Sequence, residues 1–294
     1  MTAFFDILIG GVFHAAVLFL VAAGLQLVFG VQKIVNLACG SFYALGAYFG
    51  ISAVNWAIAM GVPAALFLPV LLIAGLLLGV IVGPLIELLL RTVYERDEAF
   101  QLLLTFALVL MFQDVLRFFW GANPQQLGDI VMQYGKLTMG AVQVPTYNVL
   151  VIAASIVIAI GIGAFLQRTR FGRILRATAE NREMSQALGV NVRWMYASVF
   201  TLGTVLGTVG GALVVPTAAA SLDMPVELVV EAFAVVVIGG LGSMRGALVG
   251  ALIVGLMRAA AITWYAEMEI LAIYLVVILV LIARPAGLHG KSIE

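Results

Sequence analysis

The chain has 294 residues, 64% of them hydrophobic and only 10% charged, and its fifteen basic and fifteen acidic residues give a formal net charge of zero. That leaves too little polar surface for a soluble globule, and nothing in the charge balance points to nucleic acid. One cysteine, Cys39, excludes an internal disulfide, and no Cys/His cluster has metal-ligand spacing.

A helix needs about 20 apolar residues to cross the hydrocarbon core. Such runs occur at Phe4 to Phe29, Leu37 to Ile58, Pro63 to Leu90, Phe100 to Trp120, Thr146 to Leu166 and Trp194 to Val215. The first opens with Asp6 and no Lys or Arg, so it lacks the positive leader of a cleavable signal peptide and is expected to stay. His14 within it reads as a buried, hydrogen-bonded residue of an apolar helix. A further run, Val226 to Ile262, is interrupted by Gly239-Gly240-Leu241-Gly242-Ser243-Met244-Arg245-Gly246, and the last covers Ile270 to Ala283.

The interrupted run makes the number of crossings eight or nine. Nine crossings with the N-terminus outside put Lys33, Arg91, Arg96, the six arginines from Arg168 to Arg193, Arg245, Arg284 and Lys291 on the cytoplasmic side, twelve of the fifteen basic residues. Eight would set the central arginines and the C-terminal tail on opposite faces, so the excess of positive charge inside favours nine. The connection from Gly121 to Pro145 is then the longest external segment. Its alternating pattern fits a short strand or an interfacial helix, serving as a plain surface loop or as a surface that receives an external partner.

Arg168 to Arg193 is a polar island in an apolar sequence, with six arginines against Glu180 and Glu183. Ile174, Ala177, Met184 and Leu188 fall near helical spacing, displaced from Arg173, Arg176, Glu180 and Glu183, and Gly189 suits a left-handed stop. A short amphipathic helix between two spans either rests on lipid headgroups or docks a cytoplasmic partner by a few apolar anchors.

Two glycine-rich stretches share a Gly-Ser pair followed by Gly-Ala-x-x-Gly: Gly40 to Gly50 and Gly242 to Gly250. Close helix packing explains them, and an internal repeat along a substrate path is the sharper reading. On that reading Gly239, Gly240, Gly242 and Gly246 form a hinge.

Charges inside spans are costly and need partners. Asp114 and Arg117, three apart, read as a local ion pair; Glu227 and Glu231 read as favourable charges at a helix N-terminus; Glu87 lies within reach of Arg91. None makes the chain of buried acids that a proton-coupled carrier needs. Asn36, Ser41, Tyr43, Gln101, Thr105 and Gln113, with Cys39 beside them, are candidates to line a path, and bonding between helices is their plainer role. The tail ends in Gly290-Lys291-Ser292, but Pro285 stands where a phosphate loop needs glycine, so the chain has no nucleotide site of its own. Ser41 and His14 are the one nucleophile and base worth naming, and nothing brings them together, so an enzyme is not expected.

Val35-Asn36-Leu37-Ala38-Cys39-Gly40-Ser41-Phe42-Tyr43-Ala44-Leu45-Gly46-Ala47-Tyr48 resembles a stretch of the branched-chain amino acid ABC importer permeases of the LivH/LivM type. Arg170-Phe171-Gly172-Arg173, Arg176 to Asn181 and Ala187-x-Gly189-Val190-Asn191 resemble that family's cytoplasmic loop. Phe233 to Gly250 and Arg284-Pro285-x-Gly287-Leu288 extend the resemblance over nearly the whole chain, closer to the LivH member. The resemblance implies an all-α polytopic membrane protein of about eight or nine transmembrane helices with a type II-like ABC importer permease fold, the N-terminus outside and the C-terminus cytoplasmic. Residues 1–294 would form a single permease domain, multi-pass in a bacterial or archaeal plasma membrane. It also implies a second, LivM-like permease, two LivG/LivF-like ATPases that bind ATP-Mg, and an external binding protein, with no cofactor in this chain. The ATPase contacts then fall on Arg173, Arg176, Glu180, Asn181, Met184, Ala187, Leu188 and Gly189. Members of the family commonly carry His and Glu where this chain has Cys39 and Ser41, and Pro where it has Arg245, which leaves the cargo open among branched-chain amino acids, urea, short amides and aromatic acids. A secondary carrier without ATPases and a structural or sensor protein are the other classes.

Overall fold

The computed structural model describes residues 2–94, 96–127, 133–139, 142–284 and 286–289. In chain order these form α1 (Thr2–Gln32), α2 (Cys39–Ala59), α3 (Phe67–Leu90), α4 (Glu98–Trp120), β1 (Lys136–Met139), β2 (Val142–Pro145), α5 (Thr146–Arg168), α6 (Arg170–Glu180), α7 (Arg182–Ala187), α8 (Val192–Val214), α9 (Met224–Gly239), α10 (Met244–Trp264) and α11 (Glu269–Ala283). Every long apolar run of the sequence is a helix, because a chain without water must satisfy its backbone within the segment. Seven of these helices are long and apolar enough to cross a membrane, while α9 and α11 have 16 and 15 residues.

The interrupted run is two helices. Gly240 and Gly242 take φ of 92° and 80°, in the region where a side chain is disfavoured, and the Ser243 hydroxyl accepts from the Gly246 amide at 3.1 Å to start α10. The two helices run back antiparallel, so close that a Cβ on Gly239 would strike Gly246 and one on Gly250 would strike Val235.

The most enclosed spanning helix is α8, and α5 is the least. On α3, Gly75, Gly79 and Gly83 repeat every four residues and face Val209, Val205 and Thr201 of α8. On α2, Gly46 meets the Thr208 carbonyl, and Gly211 of α8 meets that of Tyr43. Small residues at this spacing let backbones approach where lipid supplies no hydrophobic drive. In the Gly40 to Gly50 stretch, Gly40, Gly46 and Gly50 all serve such close approaches.

The long connection between α4 and α5 holds a strand pair, β1 antiparallel to β2 from Lys136↔Pro145 to Met139↔Val142. Gln125 bonds Ala220 in both directions at 2.9 Å, tying this connection to the one between α8 and α9. Pro285 and the tail from Gly290, with Lys291, lie outside the described residues.

Candidate functional site

Two places bring functional side chains together, one near each end of the helices. The first is a cavity of about 470 Å³ between α1, α2, α5, α9 and α10. The α9–α10 hairpin builds its charged wall. Extending the register of Gly239 with Gly246 and Val235 with Gly250 sets Arg258 opposite Glu227, one turn from Glu231. Glu231 Oε1 lies 2.9 Å from Arg258 Nη1, and Glu231 Oε2 lies 2.8 Å from His14 Nε2. Arg258 also bonds Glu269 through Nε. A carboxylate only accepts, so His14 donates from Nε2. Arg258 is thus held by two carboxylates, which compensate a cation in an apolar helix, and its Nη1 lies 2.8 Å from His14 Nε2.

This network departs from the sequence reading in two respects. Glu231 sits two turns into α9 and pairs across to α10 and α1, so only Glu227 is a first-turn acid of that helix. Asp114 and Arg117 are both exposed, and no ion pair joins them among the described residues. Their three-residue spacing does not overcome the freedom of two exposed side chains. His14 is hydrogen-bonded but partly open, with 18% of its side chain exposed.

Of the polar residues considered for a path, Tyr43 lines the cavity. The others are spread elsewhere. Asn36 Oδ1 accepts from the Ala38 amide at 3.0 Å, Gln101 donates to the Arg96 carbonyl at 3.0 Å, Thr105 to that of Leu102 at 3.0 Å and Gln113 to that of Leu222 at 3.1 Å. Cys39 and Ser41 are buried in the helix core, the Ser41 hydroxyl without a partner. Sequence reasoning missed Asn148, Arg258 and Glu269 at this place. The available signal was Arg258 itself, a lone cation in an apolar run that needed acids from other helices.

The second place is the platform of α6 and α7. The sequence fits a single helix here, and the structure breaks it at Asn181, whose extended backbone (φ −146°, ψ 101°) ends α6 while its side chain caps Met184 of α7 at 2.9 Å. Thr169 and Asn191 cap the helices on either side. Gly172 lies directly on the Leu166 carbonyl, which Arg176 also binds at 2.7 Å, so α6 is seated on the end of α5. Leu175, Thr178 and Ser185 face the protein. The opposite face carries Arg173, Ile174, Ala177, Glu180, Met184, Ala187 and Leu188, all exposed, and Gly189 turns the chain at φ 86°.

A chain of contacts leads away from this platform. Arg182 stacks on Tyr196 at 5.5 Å, Tyr196 meets Tyr94 edge to face at 5.5 Å, and the Tyr94 hydroxyl donates to Glu87 at 3.2 Å. Glu87 is fully buried and bonded by Arg91 at 2.8 Å, as their spacing leads one to expect. Burial, and then the Glu87 carboxylate, raises the Tyr94 phenol above its ordinary value, which keeps it a donor at neutral pH.

Residues 7–283 match the family described as "Branched-chain amino acid transport system / permease component". The chain belongs to that family. This permease is similar to the high-affinity branched-chain amino acid transport system permease protein BraD of Pseudomonas aeruginosa, at 24% identity over 97% of this chain and 95% of the relative. It is similar to the probable branched-chain amino acid transport permease protein LivH of Methanocaldococcus jannaschii, at 29% identity over 88% of this chain and 81% of the relative. It is also similar to the LivH permease protein of Escherichia coli, at 25% identity over 92% and 91%. It is a helical, multi-pass membrane protein, and the ABC-transporter permease family to which it belongs places it in the plasma membrane, the inner membrane of a Gram-negative cell.

Proposed function

We propose that this permease translocates branched-chain amino acids or related small amino acids, delivered by an external binding protein and driven by two partner ATPases. A second permease would complete the pore. The observation that carries this reading is the outward apolar face of α6 and α7, where Met184 is 58% and Leu188 78% exposed while the helices' backbones are capped and seated on α5. Fixed anchors on a rigid mount fit a docking helix that is pushed by a partner. Nine crossings with the N-terminus outside belong to this reading, and that arrangement would set the platform, the foot of α3 and the turn between α9 and α10 on one side. The stack from Arg182 through Tyr196 and Tyr94 to Glu87 is a route by which motion of the platform reaches α3. The glycines Gly239, Gly240, Gly242 and Gly246 are the place where α9 and α10 would pivot during alternating access.

The test is co-purification with the ATPases and ATP-dependent uptake, comparing the natural chain with Glu180→Ala, Met184→Ala, Leu188→Ala and Ala187→Lys. The expected result is loss of the ATPases and of uptake while the permease still inserts. Uptake that persists without ATPases would point to a secondary carrier instead.

A further inference from the structure

We propose that the outer cavity is a binding site on the translocation path that holds a small apolar amine or amino acid by its ammonium group and turns away acids that lack one. The inference rests on the importer reading for its place on a path, and on the cavity alone for its chemistry. Three carboxylates face this space or its wall, Glu227, Glu231 and Glu269, against one guanidinium, Arg258, and one imidazole, His14. Acids therefore outnumber cations even when the imidazole is charged. The single guanidinium is already bonded on both sides, by Glu231 and by Glu269, so a ligand carboxylate finds no free cation.

A further polar group lines the same space. Tyr43 is 4% exposed and lines the cavity, and among the described residues its hydroxyl makes no hydrogen bond. Asn148 lines the same cavity as a residue, with its Oδ1 shielded from it. A phenol oxygen beside a surplus of carboxylate forms an acceptor set, and an ammonium group with three hydrogens is the donor that it fits. Apolar walls from Phe13, Leu228 and Ile262 suit a short branched hydrocarbon chain. The cavity volume lies within the range of small-molecule sites. The chemistry disfavours aromatic acids as cargo, because they would add a negative charge with no ammonium group to offset it or donate.

Neither Tyr43→Phe nor Glu227→Gln removes a bond that holds the fold, since the first hydroxyl is unpartnered and the second carboxylate is exposed. The experiment uses the permease co-purified with its ATPases in nanodiscs, without the external binding protein. Thermal unfolding is followed while 3-methylbutylamine, L-leucine and 4-methylpentanoate are titrated, because a ligand that binds the folded state raises its melting temperature. The amine and leucine are expected to stabilise the complex and the acid is not. Each substitution is expected to weaken the amine by about fivefold, the worth of one hydrogen bond, with the ligand-free melting temperature unchanged. Stabilisation by the acid equal to that by the amine, no stabilisation by any of the three, or affinity unaltered in both variants would overturn the site. ATP-driven leucine uptake with the binding protein is measured in parallel. Its absence while the ammonium preference persists would remove the importer reading and leave the ammonium site standing.

Discussion

Gln26 of α1 closes both ends of its amide on the turn between α9 and α10, with Nε2 donating to the Gly240 carbonyl at 3.0 Å and Oε1 accepting from the Gly242 amide. The same turn receives the Leu288 amide at the Ile238 carbonyl, 2.8 Å, and the His289 amide at the Gly239 carbonyl, 3.0 Å. A glycine-rich reversal is thus secured from α1 and from Leu288 and His289. Gln26 is 2% exposed, and replacing it by leucine would remove both bonds, leaving the Gly240 carbonyl with only the 3.3 Å bond from the Ser243 amide and the exposed Gly242 amide to solvent. Gln26→Leu is expected to destabilise the protein by about 1 kcal/mol, the net worth of a hydrogen bond, and lower its melting temperature in detergent. Gln26→Glu keeps the acceptor for Gly242 but sets a carboxylate against the Gly240 carbonyl, and is expected to do at least as much harm. A wild-type melting temperature for Gln26→Leu would show that the turn holds itself.

A pair of glycines in different settings separates packing from propensity. A Cβ on Gly46 would strike the Thr208 carbonyl, whereas Gly161 in α5 has nothing within 4 Å of that position. Gly46→Ala must push α2 off α8 and is expected to reduce the yield of folded protein sharply. Gly161→Ala is expected to be neutral or to stabilise by up to about 1 kcal/mol, the usual gain from replacing a helical glycine. Thermal unfolding of the two variants side by side checks the contrast, and equal losses would contradict it.

The helices were legible because apolar runs of bilayer length leave the backbone no alternative, and the break at Gly240 and Gly242 because only glycine turns there cheaply. The crossing of Glu231 with Arg258 was not legible. It depends on the register of a hairpin, and each residue alone had a sufficient local explanation. The polar residues considered for a path illustrate the same limit. Gln113 reaches the Leu222 carbonyl, 109 positions away in sequence, and no spacing rule reports which backbone group a buried amide will find. The break at Asn181 was written locally, as an Asn three residues before Met184, but it sits inside a pattern that also reads as one continuous helix.

Asn181 ends one platform helix and starts the next, so its side chain controls a six-residue helix that has little else to hold it. Asn181→Ala removes the cap on the Met184 amide and is expected to cost about 1 kcal/mol locally. Hydrogen exchange at Met184 and Ser185 is expected to rise several-fold, with exchange in α8 unchanged. Asn181→Asp should restore protection, since a carboxylate caps equally well. Unchanged exchange in Asn181→Ala would mean that contact with α6 and α8, and not the cap, orders α7.

The ion network at the cavity makes the most severe prediction, because its members are not independent. Arg258→Gln leaves Glu231 and Glu269 without their shared cation, and removing one partner of a poorly solvated pair commonly costs about 3–5 kcal/mol. Arg258 retains 28% exposure of its side chain, so the loss is expected toward the lower end of that range. Glu231→Gln alone removes one of the two acids, keeps a side chain of the same shape for His14, and leaves Arg258 with Glu269, so it is expected to cost less. In the double variant one of the two acids that Arg258→Gln strands is gone, and the loss should fall short of the sum of the single losses by about 1 kcal/mol. A thermal double-mutant cycle on the purified permease reads this directly. Strict additivity would mean that the guanidinium and the carboxylate are separately solvated, and that the charged wall of the cavity is not held as one unit.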